Sequence, residues 1–508
     1  MSLSIALISL YVFENNGVRI LAAALRDAGF TVNEIYFKDY LHHRFIPPTD
    51  KEMARLKQVL EETKPGLVGV SLRAGAYLQA ARPIVKMIRQ DLKLPVVMGG
   101  PHTTFDREKL IHEVDYLAVG EAEESFVDLA RTIETGGDAG NVRGVWANLG
   151  GEIQRNPVRP LIQDLDRIPF RDYHSNDFKW VIDGQRFDKG DPVTGEHVYF
   201  TMASRGCVYN CTFCDTNILK KLYKGLGKYY RVRSVDNILD EIDYARRYFP
   251  NMRRVRFDDE LFPFERSWLE EFSAKYKKRF DYPFDILSDP RVMNEKDIIL
   301  LKDAGMDRIL LGIQASDDVN RRLFNRNHSD EKIIELSRVL ARHKIHSGYQ
   351  VIVDIPTTTS KDHQALLELL LSMQRPFDIY TFSLNLWPGT ELTRRFLEEG
   401  VITSDEIAGV SDKAIRQFRA DFSFERSPED QLWIALFHLT SKGFIPKSLI
   451  RRMSQSAWLK KNPRPAIWLS EFANFIKLGF TALGMLKRRE LTWTMVRRFL
   501  NFKSPVSI

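Results

Sequence analysis

The chain has three cysteines among 508 residues, and all of them lie within eight positions, at Cys207, Cys211 and Cys214. A disulfide framework would scatter cysteines in pairs along the chain. An odd number in one short segment therefore indicates a single metal or redox site in a reducing compartment. The segment follows a predicted buried strand, so the thiols are expected in a loop at the carboxyl end of that strand.

Thiolates are the ligands of iron–sulfur clusters. Three thiolates can hold three irons of a cubane and leave the fourth open to a substrate or cofactor, and the chain has no fourth cysteine. A structural zinc site is one alternative, but it needs four ligands, and His174 and His197 lie upstream without finger-like spacing. Inert buried thiols are a second alternative. The clustering favours a 4Fe–4S cluster with one open iron.

Two regions of the chain alternate apolar runs with helical patterns, which is typical of parallel sheets. In the first region the predicted strands are 4–10, 32–37, 67–72, 95–98 and 117–119. In the second they are 198–204, 253–258, 284–288, 308–314, 347–354 and 378–385. Six strands are too few to close an eight-stranded barrel, so the second region is expected to form an open, partial one.

The predicted fold class is α/β, and the length favours two or three domains. Residues 1–140 are expected to form a doubly wound, Rossmann-like domain, and residues 141–195 a hairpin and linker. Residues 196–400 are expected to form a partial (β/α)6 barrel, and residues 401–508 a basic helical region.

The cysteine spacing, with Phe213 before the third cysteine, resembles the cluster motif of the radical S-adenosylmethionine (SAM) superfamily. In that family SAM binds the open iron through its amino and carboxylate groups. One-electron reduction then cleaves SAM to a 5′-deoxyadenosyl radical that abstracts hydrogen. The resemblance implies a 4Fe–4S cluster, SAM, and an electron donor such as flavodoxin or ferredoxin.

Polar residues at the ends of the later strands extend this resemblance. The acidic run is expected near the SAM amino group, and the Gly-Ile-Gln-x-Ser segment near the ribose and carboxylate. Each of these residues could instead be a solvated or capping polar group. The SAM-binding candidates are Phe213, Asp258, Asp259, Glu260, Ser288, Gln314 and Ser316. Asp354 stands where relatives often have glycine, so the loop shape there is left open.

The N-terminal region resembles the cobalamin-binding subgroup of radical SAM enzymes through Gly99-Gly100-Pro101-His102, Gly120-Glu121-Ala122-Glu123 and the linker 164–169. Glycine lets the backbone approach a bulky ligand, so Gly99, Gly100 and Gly120 are the cobalamin-binding candidates. The Asp-x-His-x-x-Gly motif that supplies a cobalt ligand is absent, and the corresponding loop reads Tyr11 to Gly17. We interpret His102 as a loop-packing residue rather than a cobalt ligand.

The tail is strongly basic. Residues 442–508 contain 14 Lys and Arg against two Glu, a net charge of +12, whereas the whole chain carries +7. Basic helical segments with interleaved aromatics favour an anionic membrane surface. An ordinary helical domain remains the main alternative, and nucleic acid is the less favoured partner. No signal peptide is predicted, so we expect a cytoplasmic protein with peripheral contact at the inner face of the membrane.

The resemblance implies a cobalamin-dependent methyltransferase acting on an unactivated carbon of a small-molecule or lipid-like substrate. One SAM would methylate the corrinoid and a second would generate the substrate radical. A cyclase or rearrangement enzyme with the same cofactors is the first alternative, and a non-catalytic metal- or nucleic-acid-binding protein is a distant one. An RNA-modifying methylthiotransferase is excluded, because it needs three further cysteines in the N-terminal domain.

Overall fold

The computed structural model describes residues 2–39, 46–174, 176–404, 407 and 426–487. Within these ranges the chain forms two large sheets, a two-stranded ribbon and a C-terminal group of helices. None of the described helices is long and apolar enough to cross a bilayer.

The first sheet has nine strands in the order β7-β6-β5-β4-β3-β1-β2-β8-β9. The strands are β1 Ser4–Leu10, β2 Thr31–Phe37, β3 Leu67–Ser71, β4 Val96–Gly99, β5 Tyr116–Ala118, β6 Val145–Leu149, β7 Glu152–Arg155, β8 Lys179–Asp183 and β9 Arg186–Lys189. The helices that accompany them are α1 Asn16–Asp27, α2 Asp50–Thr63, α3 Leu78–Lys86, α4 Pro101–Phe105, α5 Arg107–Leu110 and α6 Glu123–Glu134.

The centre of this sheet is parallel, and its order reverses between β1 and β3. A doubly wound sheet binds ligands at such a switch point, outside the carboxyl ends of its strands. The Asn15 side chain bridges the two strand ends, since its amide nitrogen donates to Ser9 Oγ (2.9 Å) and Ser71 Oγ (3.2 Å). Asn15 therefore holds the loop from Tyr11 to Gly17 at the switch point.

Residues 141–195 contribute more to the first sheet than the sequence predicts. The predicted hairpin is present as β6–β7 and pairs with β5, but the expected linker contains a second hairpin, β8–β9. Strand β8 pairs in parallel with β2. Its apolar pattern is hidden by Lys179, whose buried ammonium lies 3.3 Å from the Glu34 carboxylate.

The second sheet has six parallel strands in the order β10-β13-β14-β15-β16-β17, with no pairing between its two ends, so the barrel is open as predicted. The strands of this sheet are β10 Val198–Thr201, β13 Arg254–Phe257, β14 Phe284–Ser288, β15 Met306–Gln314, β16 His346–Val353 and β17 Asp378–Ser383. Two short strands between β10 and β13, β11 Ser204–Arg205 and β12 Arg231–Val232, form the separate ribbon. The helices are α7 Thr216–Leu222, α8 Val235–Ala245, α9 Arg266–Arg279, α10 Glu295–Ala304, α11 Asp317–Arg322, α12 Asp330–Arg342, α13 Ser360–Ser372 and α14 Glu391–Glu398.

The first barrel strand is shorter than the predicted strand 198–204. It ends at Thr201, and residues 204–205 leave the barrel to pair antiparallel with β12. The reason lies in Asp259, whose carboxylate accepts hydrogen bonds from the Ser204 amide and hydroxyl, both at 2.6 Å. The β11–β12 ribbon that results carries the chain into the cysteine segment.

The described part of the C-terminal region is helical, as predicted. Its helices are α15 Pro428–Thr440, α16 Lys447–Ser454, α17 Ala457–Lys461 and α18 Arg464–Lys487. Helix α15 is buried along most of its length and packs between α13 of the barrel and α18. The first three helices thus belong to the barrel's outer layer, and α18 lies outside them.

A buried ion cluster joins the residues before the barrel to the barrel wall. Glu241 on α8 accepts hydrogen bonds from Arg171 Nη2 (2.6 Å), Tyr199 Oη (2.9 Å) and Thr201 Oγ1 (3.0 Å), and it also pairs with Arg233. Burial alone would raise the pKa of Glu241, but the two guanidinium groups and these hydrogen bonds lower it to about 2. The ionised carboxylate is therefore more stable in the folded protein than in the unfolded chain.

We predict that Glu241→Gln lowers the stability of the barrel by about 3 kcal/mol at pH 7, because it leaves two buried cations without their counter-ion. The carboxylate stabilises the fold fully above its unfolded pKa, and this contribution is lost as pH falls through about 2. Thermal unfolding midpoints of wild type and variant should therefore differ at pH 7 and converge in acid. Glu270→Gln, which removes an exposed ion pair with Arg266, is the control and should change little.

Candidate active site

The cysteine segment begins at a glycine that the backbone requires. Gly206 has φ of +84°, and a Cβ there would lie 2.5 Å from the Tyr229 carbonyl oxygen. The chain therefore turns sharply out of β11 directly before Cys207. Cys211 is buried, Cys207 and Cys214 are half-buried, and no disulfide joins them.

The thiols lie where a free thiolate is unfavourable. Burial raises the pKa of both Cys207 and Cys214. Coordination to iron offsets that cost, because the metal stabilises the thiolate. A structural zinc ion needs four ligands, whereas three thiolates can hold three irons of a cubane, so the segment fits a cluster better than the alternative of one zinc ion.

Two arginines beside Cys211 were not predicted from the sequence. Arg326 Nη1 lies 3.5 Å and Arg291 Nη2 3.6 Å from Cys211 Sγ. Both guanidinium groups also pair with Asp289, at 2.9 Å and 2.7 Å. An Asp-x-Arg segment directly after β14 was the available signal for Arg291, whereas Arg326 comes from an irregular loop with no recognisable spacing.

Phe213 packs inward, against the barrel. Its ring meets Phe324 edge-on at 4.8 Å between centroids, within an apolar cluster formed by the loops after β15, β16 and β17. The neighbouring Thr212 amide donates to the Phe324 carbonyl (3.2 Å). Phe213 thus anchors the cysteine segment to the barrel, whether or not its edge also contacts a bound cofactor.

The three acidic residues after β13 point to different surroundings. Asp258 is exposed and pairs with Arg256 at 3.3 Å, and Asp259 is buried against Ser204. Glu260 keeps contact with solvent, and the carboxylates of Asp215 and Asp259 lie near it. Burial, then the nearby carboxylates of Asp215 and Asp259, raises the pKa of Glu260 to about 7. Glu260 is therefore the acidic residue best placed to receive a cationic ligand.

Two hydroxyls at neighbouring strand ends have no hydrogen-bond partner among the described residues. They belong to Ser288, the last residue of β14, and to the buried Ser316 after β15. Gln314, between them in the fold, has φ of +63°, and its amide folds back over Gly312. Buried hydroxyls are normally hydrogen-bonded, so this edge fits a polar ligand such as the amino-acid part of SAM.

Asp354 follows β16 directly, at the carboxyl edge of the barrel. It has φ of +56°, and its carboxylate pairs with Arg426 Nε at 2.7 Å and with Ser383. Arg426 precedes α15, so this ion pair fastens the C-terminal region to the carboxyl ends of β16 and β17.

The three glycines of the first sheet differ in what requires them. At Gly100, with φ of +111°, a Cβ would lie 2.7 Å from the Leu72 carbonyl oxygen. At Gly120, with φ of +82°, it would lie 1.9 Å from Tyr223 Oη. At Gly99 the nearest atom is the Ala118 Cβ at 3.5 Å, an ordinary contact. Protein atoms, rather than open space for a ligand, lie beside Gly100 and Gly120.

Residues after Gly100 provide unpartnered polar atoms at the same edge. His102 is buried with neither ring nitrogen hydrogen-bonded, and the Thr103 hydroxyl likewise has no partner among the described residues. Burial lowers the pKa of His102, so the ring is neutral. The ring packs against Trp387 of the barrel at 6.4 Å between centroids, and Phe105 packs against the same indole at 5.7 Å. These atoms fit a bulky ligand with its own polar groups, such as a corrinoid, between sheet and barrel.

Ion pairs clamp the first sheet to the cysteine segment. Arg205 Nη2 lies 2.6 Å from Glu123, and Arg231 Nη2 lies 2.5 Å from Glu121. The Glu121 amide donates a hydrogen bond to the Tyr223 hydroxyl at 2.6 Å. Burial would raise the pKa of Glu123, but the charge of Arg205 outweighs it and lowers that pKa. The carboxyl edges of the two sheets therefore face each other across the cysteine loop.

Two family models match the chain. The radical SAM superfamily matches residues 202–370, and the B12-binding domain matches residues 5–130. These ranges contain the two parallel sheets whose edges meet at the cysteine loop. Both family resemblances drawn from the motifs are thereby confirmed, and with them the iron–sulfur, SAM and cobalamin cofactors that the two domains imply.

Individual relatives are distant. An uncharacterized methyltransferase of Pyrococcus horikoshii is 24% identical over 350 residues, 68% of this chain and 72% of its own length. An anaerobic magnesium-protoporphyrin IX monomethyl ester cyclase of Rubrivivax gelatinosus is 24% identical over 360 residues, 68% of this chain but only 59% of the cyclase. The structure of the radical SAM methyltransferase TsrM from Kitasatospora setae, with tryptophan and a SAM analogue bound, superposes with a TM-score of 0.63 at 18% identity, covering 78% of this chain and 76% of TsrM. This last likeness shows a shared fold.

We predict that Gly100→Ala lowers the thermal unfolding midpoint strongly, by the equivalent of about 2–3 kcal/mol, because alanine cannot adopt this backbone conformation without strain. The adjacent Gly99→Ala is the matched control and should leave the midpoint nearly unchanged. Equal effects of the two substitutions on the midpoint would contradict the assignment of Gly100 to backbone geometry.

Proposed function

Because the chain belongs to the radical SAM enzymes that carry a B12-binding domain, we propose that it is a methyltransferase that acts on an unactivated carbon. The observation that carries the proposal is the clamped cysteine loop between two carboxyl sheet edges. It brings a three-thiolate segment and a B12-binding domain to one cleft, as a reaction that uses both would require. When bound, the cluster and SAM would supply a radical, and the corrinoid would supply a methyl carrier.

The residues of the barrel edge have distinct tasks in this proposal. Cys207, Cys211 and Cys214 hold the cluster. Glu260 accepts hydrogen bonds from the SAM ammonium, and the free hydroxyls of Ser288 and Ser316 bond its polar groups. We add Arg326 as a positioning residue, since its guanidinium lies 3.5 Å from Cys211 Sγ and is already bonded to Asp289 and to the Gly312 carbonyl.

Other candidates act through their neighbours. Asp259 holds Ser204 and hence the start of the cysteine segment, and Asp258 is engaged with Arg256, so neither carboxylate is aimed at the cleft. Gln314 lines the edge between the two serines. Phe213 keeps the cluster loop against the barrel. Asp258, Asp259 and Phe213 are positioning residues rather than direct ligands. Gln314 is placed both to position its neighbours and to bond a ligand.

Cobalamin would lie between the edge of the first sheet and the barrel. His102 and Thr103 would offer hydrogen bonds to it, whereas Gly100 and Gly120 shape the backbone around it. The loop Tyr11 to Gly17 contains no histidine, so it would offer the cobalt no imidazole ligand at the switch point. The neutral His102 therefore serves as a packing and hydrogen-bonding residue in this proposal.

The electron needed for cleavage would come from a donor such as flavodoxin or ferredoxin, which is consistent with the cytoplasmic location expected from the cysteine pattern. The substrate would be a small or lipid-like molecule that enters the cleft near Trp387.

A cyclase with the same cofactors is the second candidate, and the similarity to the magnesium-protoporphyrin cyclase of Rubrivivax gelatinosus supports it.

We predict that replacing any of the three cysteines, for example Cys207→Ala, abolishes both cluster content and SAM cleavage, because no other thiol in the chain can replace it. Iron and sulfide would be measured after anaerobic reconstitution, and 5′-deoxyadenosine after reduction with dithionite. Val208→Ala, an exposed position in the same segment, is the control and should keep both. An alanine variant that retained wild-type iron and cleavage would exclude the three-thiolate site.

A second experiment separates methyl transfer from cyclisation. The reconstituted protein loaded with hydroxocobalamin is reduced and given SAM labelled in its methyl group. A methyltransferase should release S-adenosylhomocysteine in proportion to bound corrinoid, even without substrate. Formation of 5′-deoxyadenosine with no S-adenosylhomocysteine would favour the cyclase, and the absence of a corrinoid absorption spectrum after loading would reject both.

A further inference from the structure

Helix α18 presents two contrasting faces. Ala466, Ser470 and Ala473 are buried, and the helix packs through this side on α15. Small side chains here let the two helices approach closely. The helix is thereby fixed to the barrel's outer layer, and its other side is directed away from the protein.

The outward side is formed by large apolar residues, which are exposed rather than packed. They are Trp468 (66% exposed), Phe472 (48%), Phe475 (60%), Phe480 (71%), Leu483 (57%) and Leu486 (57%). Spacings of three, four and five residues keep them along one side of the helix. The rings of Trp468 and Phe472 stack in parallel at 5.4 Å. A continuous apolar surface of this kind marks an interaction site on a folded protein.

The charges around this row are nearly all positive. Lys460, Lys461 and Arg464 precede it, Glu471 is the single acidic residue of the helix, and Arg488 and Arg489 follow Lys487 in the sequence. Two copies of the chain facing each other through this helix would bring like charges together. An anionic lipid surface offers both an apolar layer for the aromatic rings and negative headgroups for the flanking cations.

We propose that α18 is an interfacial membrane anchor, lying in the plane of an anionic bilayer with Trp468, Phe472, Phe475, Phe480, Leu483 and Leu486 in the acyl boundary. The helix binds the surface without crossing it, in keeping with its short apolar stretches. This inference concerns the outer helix alone and does not rest on the proposed methyl transfer.

The anchor lies on the side of the barrel away from the cysteines. Lys477 on α18 pairs with Asp378, the first residue of β17, and that carboxylate also bonds His346, the first residue of β16. The helix therefore contacts the amino ends of β16 and β17 at Lys477, whereas the cysteine loop lies at the carboxyl ends of the strands. Membrane attachment would leave the cleft open to its substrate and electron donor.

The test is vesicle co-sedimentation of the full-length reconstituted protein. We expect binding to vesicles of phosphatidylcholine with phosphatidylglycerol, weaker binding to phosphatidylcholine alone, and loss of the difference in high salt. The variant F475S/F480S/L483S should reduce binding at least about tenfold, because it removes buried apolar area at the interface. L149S/F178S, which removes exposed apolar residues outside α18, is the matched control and should bind as wild type does.

Tryptophan fluorescence provides a second test that does not depend on the folding of the triple variant. Brominated lipids should quench tryptophan emission of the wild-type protein, and Trp468→Phe, which preserves the apolar face, should reduce that quenching while binding persists. Wild-type protein that binds neither vesicle type would overturn the proposal. So would sedimentation velocity showing a dimer that the triple variant dissociates, because the occupant of the face would then be a second copy.

Discussion

The ion pairs of Arg205 with Glu123 and of Arg231 with Glu121 determine where the reactive thiols lie. Arg205 is two residues from Cys207, and both arginines belong to the short β11–β12 ribbon, which has no sheet of its own to support it. The carboxylates of Glu121 and Glu123 therefore hold the ribbon in place, because no neighbouring strand does so. Because these groups are largely removed from water, each charge depends on its partner. The N-terminal domain is in this sense part of the barrel's active site even before any cofactor binds.

The cleft that the clamp creates has polar groups arranged for ligands that the protein itself does not satisfy. Ser288, Ser316, His102 and Thr103 have buried polar atoms without partners among the described residues. Leaving such atoms unpaired costs free energy, and a folded protein keeps that cost mainly where a ligand repays it. Ser288 and Ser316 lie at the carboxyl ends of barrel strands, and His102 and Thr103 follow β4 of the first sheet. Both domains therefore offer unsatisfied polar groups to a ligand.

The sequence predicts most of the two sheets, because parallel strands buried on both faces form apolar runs and alternate with helices at regular spacing. It also predicts the cysteine segment, whose spacing is local. It does not predict β8, whose apolar run, Trp180 to Ile182, is short and follows a buried lysine paired with Glu34. It does not predict the β11–β12 ribbon either, because the hydrogen bonds that Ser204 donates to Asp259 join residues far apart in sequence. Arg326 was missed for the same reason: its partners Asp289 and Cys211 are distant in sequence. Contacts that depend on tertiary structure leave no local pattern.

The glycine motifs are recognised correctly from the sequence, but the structure gives a different physical reason for the absence of side chains at Gly100 and Gly120. Gly100 and Gly120 were interpreted as positions where the backbone approaches a ligand, but the atoms that exclude a side chain there are those of Leu72 and Tyr223. The Tyr223 hydroxyl also accepts a hydrogen bond from the Glu121 amide, so the absence of a side chain at Gly120 lets the barrel contact the first sheet directly. The motif Gly-Glu-Ala-Glu is thus a docking element: the glycine admits the tyrosine, and the two glutamates bind the arginines of the ribbon. A substitution at Gly120 would disturb the cysteine loop, because a side chain there would displace Tyr223 and the clamp could no longer close.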